Sequence, residues 1–209
     1  MKLRTIYSNA LVWLPVTIIL YAGYQFSNRF YWREPSYLPM TKLDEAIPFL
    51  AWTIWPNNFI VLLLVLPLFI RQKALFRLTL LAYVISCCLN LLIWTLWPTA
   101  YPRLSLPEGE SLTLSAFHWL HAIDTPANCF PSGHITSPAV GCWALARENQ
   151  AYRKWIWIGF ALLSVTILTT KQHYAVDLIG GLMSAGIGIA LASTVMSLGR
   201  EEKLTQIPL

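Results

Sequence analysis

Ala127–Val140 reads ANCFPSGHITSPAV. Turn formers, a hydroxyl and an imidazole stand together at the border of an apolar segment. Such a stretch is either a bent start to a helix or a place where chemistry happens, and the rest of the chain decides which.

Outward from that stretch the chain is strongly apolar. Its 209 residues are 56% hydrophobic and 12% charged, against roughly 25% charged in a soluble domain. Too few polar side chains remain to cover a soluble globule. Six windows approach the ~20 apolar residues that cross a bilayer: Leu11–Phe26, Asn57–Ile70, Leu78–Trp97, Gly133–Ala146, Trp155–Thr170 and Ala175–Leu198. The sequence predicts an all-α polytopic membrane protein, a bundle of about six transmembrane helices forming a single integral membrane domain over residues 1–209. Three windows are short, so their flanks are expected to be helical or their helices to begin below the surface. The opening MKLR and its apolar run fit a secretory leader, but aromatics dominate Gly23–Asn28 where small residues would mark cleavage. The first span is therefore expected to be retained.

Basic residues concentrate on the cytoplasmic side of a membrane protein. Six spans put Lys2, Arg4, Arg71, Lys73, Arg77, Arg147, Arg153, Lys154, Arg200 and Lys203 on one side, and only Arg29, Arg33, Lys42, Arg103 and Lys171 on the other. Both termini are thus expected in the cytoplasm. The net charge of +5 reads as topology and contact with anionic lipid. No basic soluble module exists to bind nucleic acid. The same assignment sends His118, His121, His134 and His173 outward, with Glu34, Asp44, Glu45, Glu108, Glu110, Asp124 and Asp177. Function is expected on the outer face of an inner or plasma membrane.

The connections differ in character. Ser27–Pro56, dense in aromatics and prolines, is expected to lie partly along the outer surface, and Leu112–Ile123 to form a short amphipathic helix. Cys87, Cys88 and Cys142 fall in spans and only Cys129 lies near the outer surface, so no disulfide framework is expected. In the last span Gly181 and Ala185 fit the small-xxx-small spacing of close helix packing, with Gly186 and Gly188 adding to it.

Three outer features carry chemistry. His173 and Asp177, four apart, share one helix face. The carboxylate can take a proton from one ring nitrogen and leave the other as nucleophile or base, or the pair can simply tie down a helix start. Ser132 and Gly133 at a helix N-terminus can cradle an anion on unpaired N–H groups, with His134 beside them as a proton donor; the bland alternative is a helix capped by Ser132. Arg103, in PTAYPR, and Lys171 can hold phosphate oxygens. Two histidines and a carboxylate could also ligate zinc, but His173–Asp177 reads better as an oriented imidazole, and no cofactor is expected.

PSGH followed by HYAVD resembles the second and third signature motifs of the type 2 phosphatidic acid phosphatase superfamily. The resemblance covers roughly Leu96 to Gly181, residues 96–181. These are six-helix membrane enzymes, kin to vanadium haloperoxidases. The resemblance implies His173 as the residue that attacks phosphorus, Asp177 as its orienter, His134 as acid to the leaving group, and Ser132 and Gly133 as phosphate binders. The chain departs from the family at Thr166 and Ile167, where the third motif usually has Ser-Arg, and at Leu96 and Leu104 in the first motif. Two phosphate-binding cations are missing, with Lys171 as a stand-in. TKQHYAVD and DTPANCFPSGH look closer to inositol phosphorylceramide and sphingomyelin synthases, which pass a phospho-headgroup to a lipid hydroxyl.

The expected function is hydrolysis of a lipid phosphate ester at the outer membrane face through a phosphohistidine, with bilayer lipid as partner and substrate. The alternative is phosphotransfer to a lipid hydroxyl. A non-catalytic lipid transporter has no need of a nucleophile, an orienter and a separate acid. A haem protein would need imidazoles facing one another across helices, and His118 and His121 have no such spacing.

Overall fold

A computed structural model describes residues 3–106 and 109–205. Lys2 and Glu108, and the side chains of Arg200 and Lys203, lie outside the described residues. The helices are α1 (Leu3–Arg29), α2 (Lys42–Ala46), α3 (Ile54–Phe59), α4 (Lys73–Leu96), α5 (Leu112–Ile123), α6 (Gly133–Glu148), α7 (Arg153–Thr169) and α8 (Ala175–Thr205). Among the described residues, five helical stretches are long and apolar enough to cross a membrane: Leu3–Arg29, Ala51–Phe69, Lys73–Leu96, Gln150–Thr169 and Ala175–Leu198. The chain is a polytopic α-helical membrane protein.

Each of the five coincides with a window read from the sequence. The sixth window is α6, whose 16 residues fall short of a full crossing at 1.5 Å per residue. It is enclosed by α4, α7, α8 and the Ile60–Phe69 segment, and Ile135, Val140 and Ala144 are almost wholly buried. A short helix inside the bundle need not reach both surfaces.

The second crossing shows why neighbours matter in a medium without water. After α3 the chain tightens into a 3-10 helix, Ile60–Phe69, with Pro67 inside it. A 3-10 helix bonds residue i to i−3, so Pro67, lacking an N–H, leaves the carbonyl of Leu64 free. Trp13 Nε1 on α1 donates to that oxygen at 2.9 Å. Asn9 Nδ2 donates to the last carbonyls, Leu68 at 3.2 Å and Ile70 at 2.8 Å. Irregular backbone survives at membrane depth where protein groups satisfy it. The Trp13 ring then stacks on Tyr83 of α4, centroids 4.5 Å apart.

The α4–α8 pair is the most extensive helix contact. A Cβ added at Gly188 would stand 2.7 Å from the carbonyl oxygen of Ala82 and 2.0 Å from Ser86 Oγ, so only glycine lets the backbones approach. Gly181 meets Ser132 O at 2.7 Å in the same construction, and Ala185 is buried. Gly186 corrects the sequence reading: nothing lies within 4 Å of its added Cβ, because it turns away from the seam. All four cysteines are free.

The two ends of the bundle differ. At one, the backbone N of Arg71 donates to Glu148 at 2.8 Å and its Nε at 3.1 Å, among Lys73, Arg77, Arg147, Arg153 and Lys154 at the neighbouring helix ends. At the other, α4 ends and α6 and α8 begin. There β1 (Ser36–Tyr37) pairs in parallel with β2 (Thr99–Ala100), and α5 packs against α3. Ser111 caps α5, its Oγ accepting from Leu114 N at 3.2 Å. Phe117 points inward against Phe49, while Leu112 and Trp119 face out. The amphipathic helix expected over Leu112–Ile123 is present with those bounds.

Candidate active site

The turn that leads into α6 is held by the end of α1. Asn128 takes the left-handed conformation, φ +59°, which asparagine tolerates better than most residues. Its Nδ2 donates to Ser27 Oγ at 2.9 Å. Asn28 reciprocates: its Nδ2 donates to Ala127 O at 3.2 Å and its Oδ1 accepts from Thr125 N at 3.1 Å. Further on, Trp94 Nε1 of α4 donates to Pro131 O at 3.1 Å, and Ser132 N donates to the Asp177 carbonyl at 3.1 Å. The Thr136 hydroxyl spans to Gly181 O at 3.1 Å. The first turns of α6 and α8 are therefore pinned to each other.

That pinning brings the two histidines together. His173 Nδ1 and Asp177 Oδ2 are 3.0 Å apart, but not on the shared helix face that their spacing suggested: α8 begins at Ala175, and His173 reaches the carboxylate from the link before it. The same oxygen accepts from Tyr174 N at 2.9 Å. His173 Nε2 faces His134 Nδ1 at 3.4 Å and Ser132 Oγ at 3.4 Å. His173 is 6% exposed and Asp177 and Ser132 are fully buried. Ser132 stands at the N-cap position of α6, but its hydroxyl makes no capping bond; it turns to the imidazole.

A cavity opens beyond the two rings. Gly133, His134 and His173 form its floor, α5 contributes Phe117, Leu120 and His121, and Arg103, Asp124 and Lys171 reach it from the connections. Arg103 lines the cavity and donates to the Asp124 carbonyl. Lys171 also lines it, but its Nζ donates to the backbone oxygen of Asp44 at 2.8 Å, so part of its hydrogen-bonding capacity is already engaged. Asp124 accepts from the Tyr24 hydroxyl at 2.8 Å. Burial pushes its carboxyl above the usual carboxylate range, against the opposing pull of Tyr24, Arg103 and His173.

Cys129 brings a third ligand-capable atom within 4.8 Å of His173 and Asp177. Its Sγ donates to Pro126 O at 3.2 Å, and burial, aided by the charge of Asp177, pushes the thiol well up. Nδ1 of His173 and Oδ2 of Asp177 are engaged with each other. The donor set fits a hydrogen-bonded cluster around a neutral thiol.

Sequence reasoning missed Asp44 and Asp124 as neighbours of the site, counting both only as outer acids. TKLD carries a capping-box signal for α2, and Thr41 and Asp44 do form one. Nothing in that signal reveals that the Asp44 carboxylate also accepts from Ala175 N at 2.7 Å.

Two facing imidazoles, one of them paired with a buried carboxylate, thus meet at one end of a helical membrane bundle. The PAP2 superfamily matches residues 48–191, which span both histidines, and the chain belongs to that superfamily. No curated protein and no solved structure matches the chain.

Proposed function

We propose that the protein is an integral membrane phosphatase that hydrolyses a lipid phosphate ester at the outer face of the membrane through a phosphohistidine. The observation that carries this reading is His173 itself: Nδ1 lies 3.0 Å from Asp177 while Nε2 faces His134 across 3.4 Å. With the Nδ1 proton held by the carboxylate, the lone pair is on Nε2.

The substrate phosphate takes the place of the contact between the rings, held by Arg103, the Ser132 hydroxyl, the Gly133 backbone and Lys171. Nε2 of His173 bonds to phosphorus as the ester P–O bond breaks, and His134 gives the departing oxygen its proton. Water then attacks phosphorus, the P–N bond breaks, and His134 takes the water's proton. Splitting one displacement into two is the gain of covalent catalysis. In this scheme fixed cations and N–H groups meet the developing charge, and no metal takes part. The end of the bundle with Arg71, Arg147 and Arg153 lies in the cytoplasm by the distribution of basic residues, which directs the histidine end outward and both termini inward.

Transfer to a lipid hydroxyl in place of water is the second reading. Phe117 and Leu120 in the cavity wall favour it, since they limit water at the phosphoryl group. Purified protein given a panel of lipid phosphates and headgroup lipids, with and without a lipid alcohol, tests both. Free phosphate marks a hydrolase and a new phospho-headgroup lipid marks a transferase. No turnover with any lipid, or full turnover in His173→Ala, would overturn the proposal.

A further inference from the structure

We propose that Asp44, on the first long connection and outside the cavity wall, is a positioning residue that sets where His173 points; this rests on the reading of His173 as nucleophile. His173 sits in the short link between α7 and α8. A backbone bond fastens the near end of that link, Leu50 N to Thr169 O at 2.9 Å, and Thr169 Oγ1 adds a bond to Thr53 Oγ1, also at 2.9 Å. Lys171 then takes a left-handed conformation, φ +53°, which a lysine keeps only where its surroundings hold it there.

Asp44 provides that hold on both sides of the histidine. Its backbone oxygen accepts from Lys171 Nζ at 2.8 Å, two residues before His173. Its Oδ1 accepts from Ala175 N at 2.7 Å, two residues after. The carboxylate comes from 131 residues away in the chain, yet it does what a local cap would do, taking a free N–H at the positive end of α8. Successive N–H groups thus meet different carboxylates: Tyr174 N goes to Asp177 and Ala175 N to Asp44. Asp177 orients the ring, and Asp44 fixes the backbone that carries it.

The carboxylate is itself rigid. Its Oδ2 accepts from Thr41 N at 2.9 Å, and the residue is 3% exposed. Burial alone would raise its pKa, but hydrogen bonds from Thr41 and Ala175, with the charge of Lys171, hold it below the usual 3.8. Asp44 is ionised at neutral pH and available as an acceptor.

The test compares full-length Asp44→Ala, Asp44→Asn and His173→Ala in detergent, by phosphate release from a lipid phosphate and inhibition by orthovanadate, a five-coordinate mimic of phosphorus under attack. A displaced nucleophile loses roughly a hundredfold. Asp44→Ala should lower kcat by about that factor and weaken vanadate to match, with KM within threefold. Asp44→Asn keeps an oxygen for Ala175 N and should recover to within about tenfold of the parent. A fall in kcat with unchanged vanadate inhibition means fewer folded molecules and overturns the inference, as does an Asp44→Ala kcat within threefold of the parent. If Asp44→Ala does not fold, Asp44→Asn carries the comparison: kcat and vanadate affinity fall together, or the inference fails. An inactive His173→Ala beside an unaffected Asp44→Ala defeats only this inference; an active His173→Ala defeats the phosphohistidine reading as well.

Discussion

One oxygen of Asp177 holds two groups at once, the His173 ring nitrogen at 3.0 Å and the Tyr174 backbone N–H at 2.9 Å. Its other oxygen is buried without a protein partner. The carboxylate therefore sets both the tautomer of the ring and the backbone just beyond it.

Asp177→Asn should leave the fold in place and remove most turnover. An amide in this position can donate to Nδ1 and hold the ring in the wrong tautomer. In a Ser-His-Asp triad the equivalent change costs about 10⁴-fold, and a loss on the order of 10³-fold or more is expected here. Phosphate release and thermal melting in detergent, measured on the same preparation, check both halves; retention of a tenth of the parent activity would contradict it.

Trp13→Phe should destabilise without touching the site. Trp13 donates to the Leu64 oxygen that Pro67 leaves unpartnered. Losing that bond while keeping most of the ring contact should cost about 1 kcal/mol. Melting temperature should fall, with kcat unchanged.

Gly188→Ala and Gly186→Ala should part company. A methyl at 188 runs into the Ala82 carbonyl, which cannot rotate away, whereas one at 186 meets nothing within 4 Å. The first should lower the melting temperature, and the second should be neutral or gain up to about 1 kcal/mol from helix propensity. Equal melting temperatures would contradict the seam described here.

Asp124→Asn gives a pH signature. Burial raises the Asp124 carboxyl above its usual 3.8, so the group keeps its proton to higher pH in the folded chain than in the unfolded one. Its stabilising contribution is complete below that value and disappears as pH rises through the raised pKa. The amide keeps an acceptor for Tyr24 and avoids the buried charge. Its melting temperature relative to the parent should therefore climb between pH 4 and pH 7; a flat difference would refute the assignment.

The sequence announced the crossings and the amphipathic α5 because hydrophobic run length and helical period are local properties. The pairing of His173 with Asp177 was anticipated from an i, i+4 helix spacing, but it forms from the link before α8, which begins at Ala175. The meeting of His134 with His173 needed the family motifs, because spacing along the chain says nothing about which helix starts adjoin. Asp44 was out of reach: its partners lie 127 and 131 residues away, and one chain contains no record of such pairings. Lys171 was read only as a phosphate cation, since its tie to a backbone oxygen leaves no mark in the sequence. The 3-10 winding of Ile60–Phe69 was equally hidden, because Pro67 signals a break and not which neighbour mends it.

The staple between the starts of α6 and α8, Ser132 N to Asp177 O and the Thr136 hydroxyl to Gly181 O, joins both imidazoles through main-chain oxygens. The first bond would survive a change of side chain at either end, whereas the second needs the Thr136 hydroxyl, and position 181 has no room for a Cβ, which would stand 2.7 Å from Ser132 O. The gap between the two imidazoles is thus fixed by main chain together with two residues, Thr136 and Gly181, that the joint cannot readily exchange.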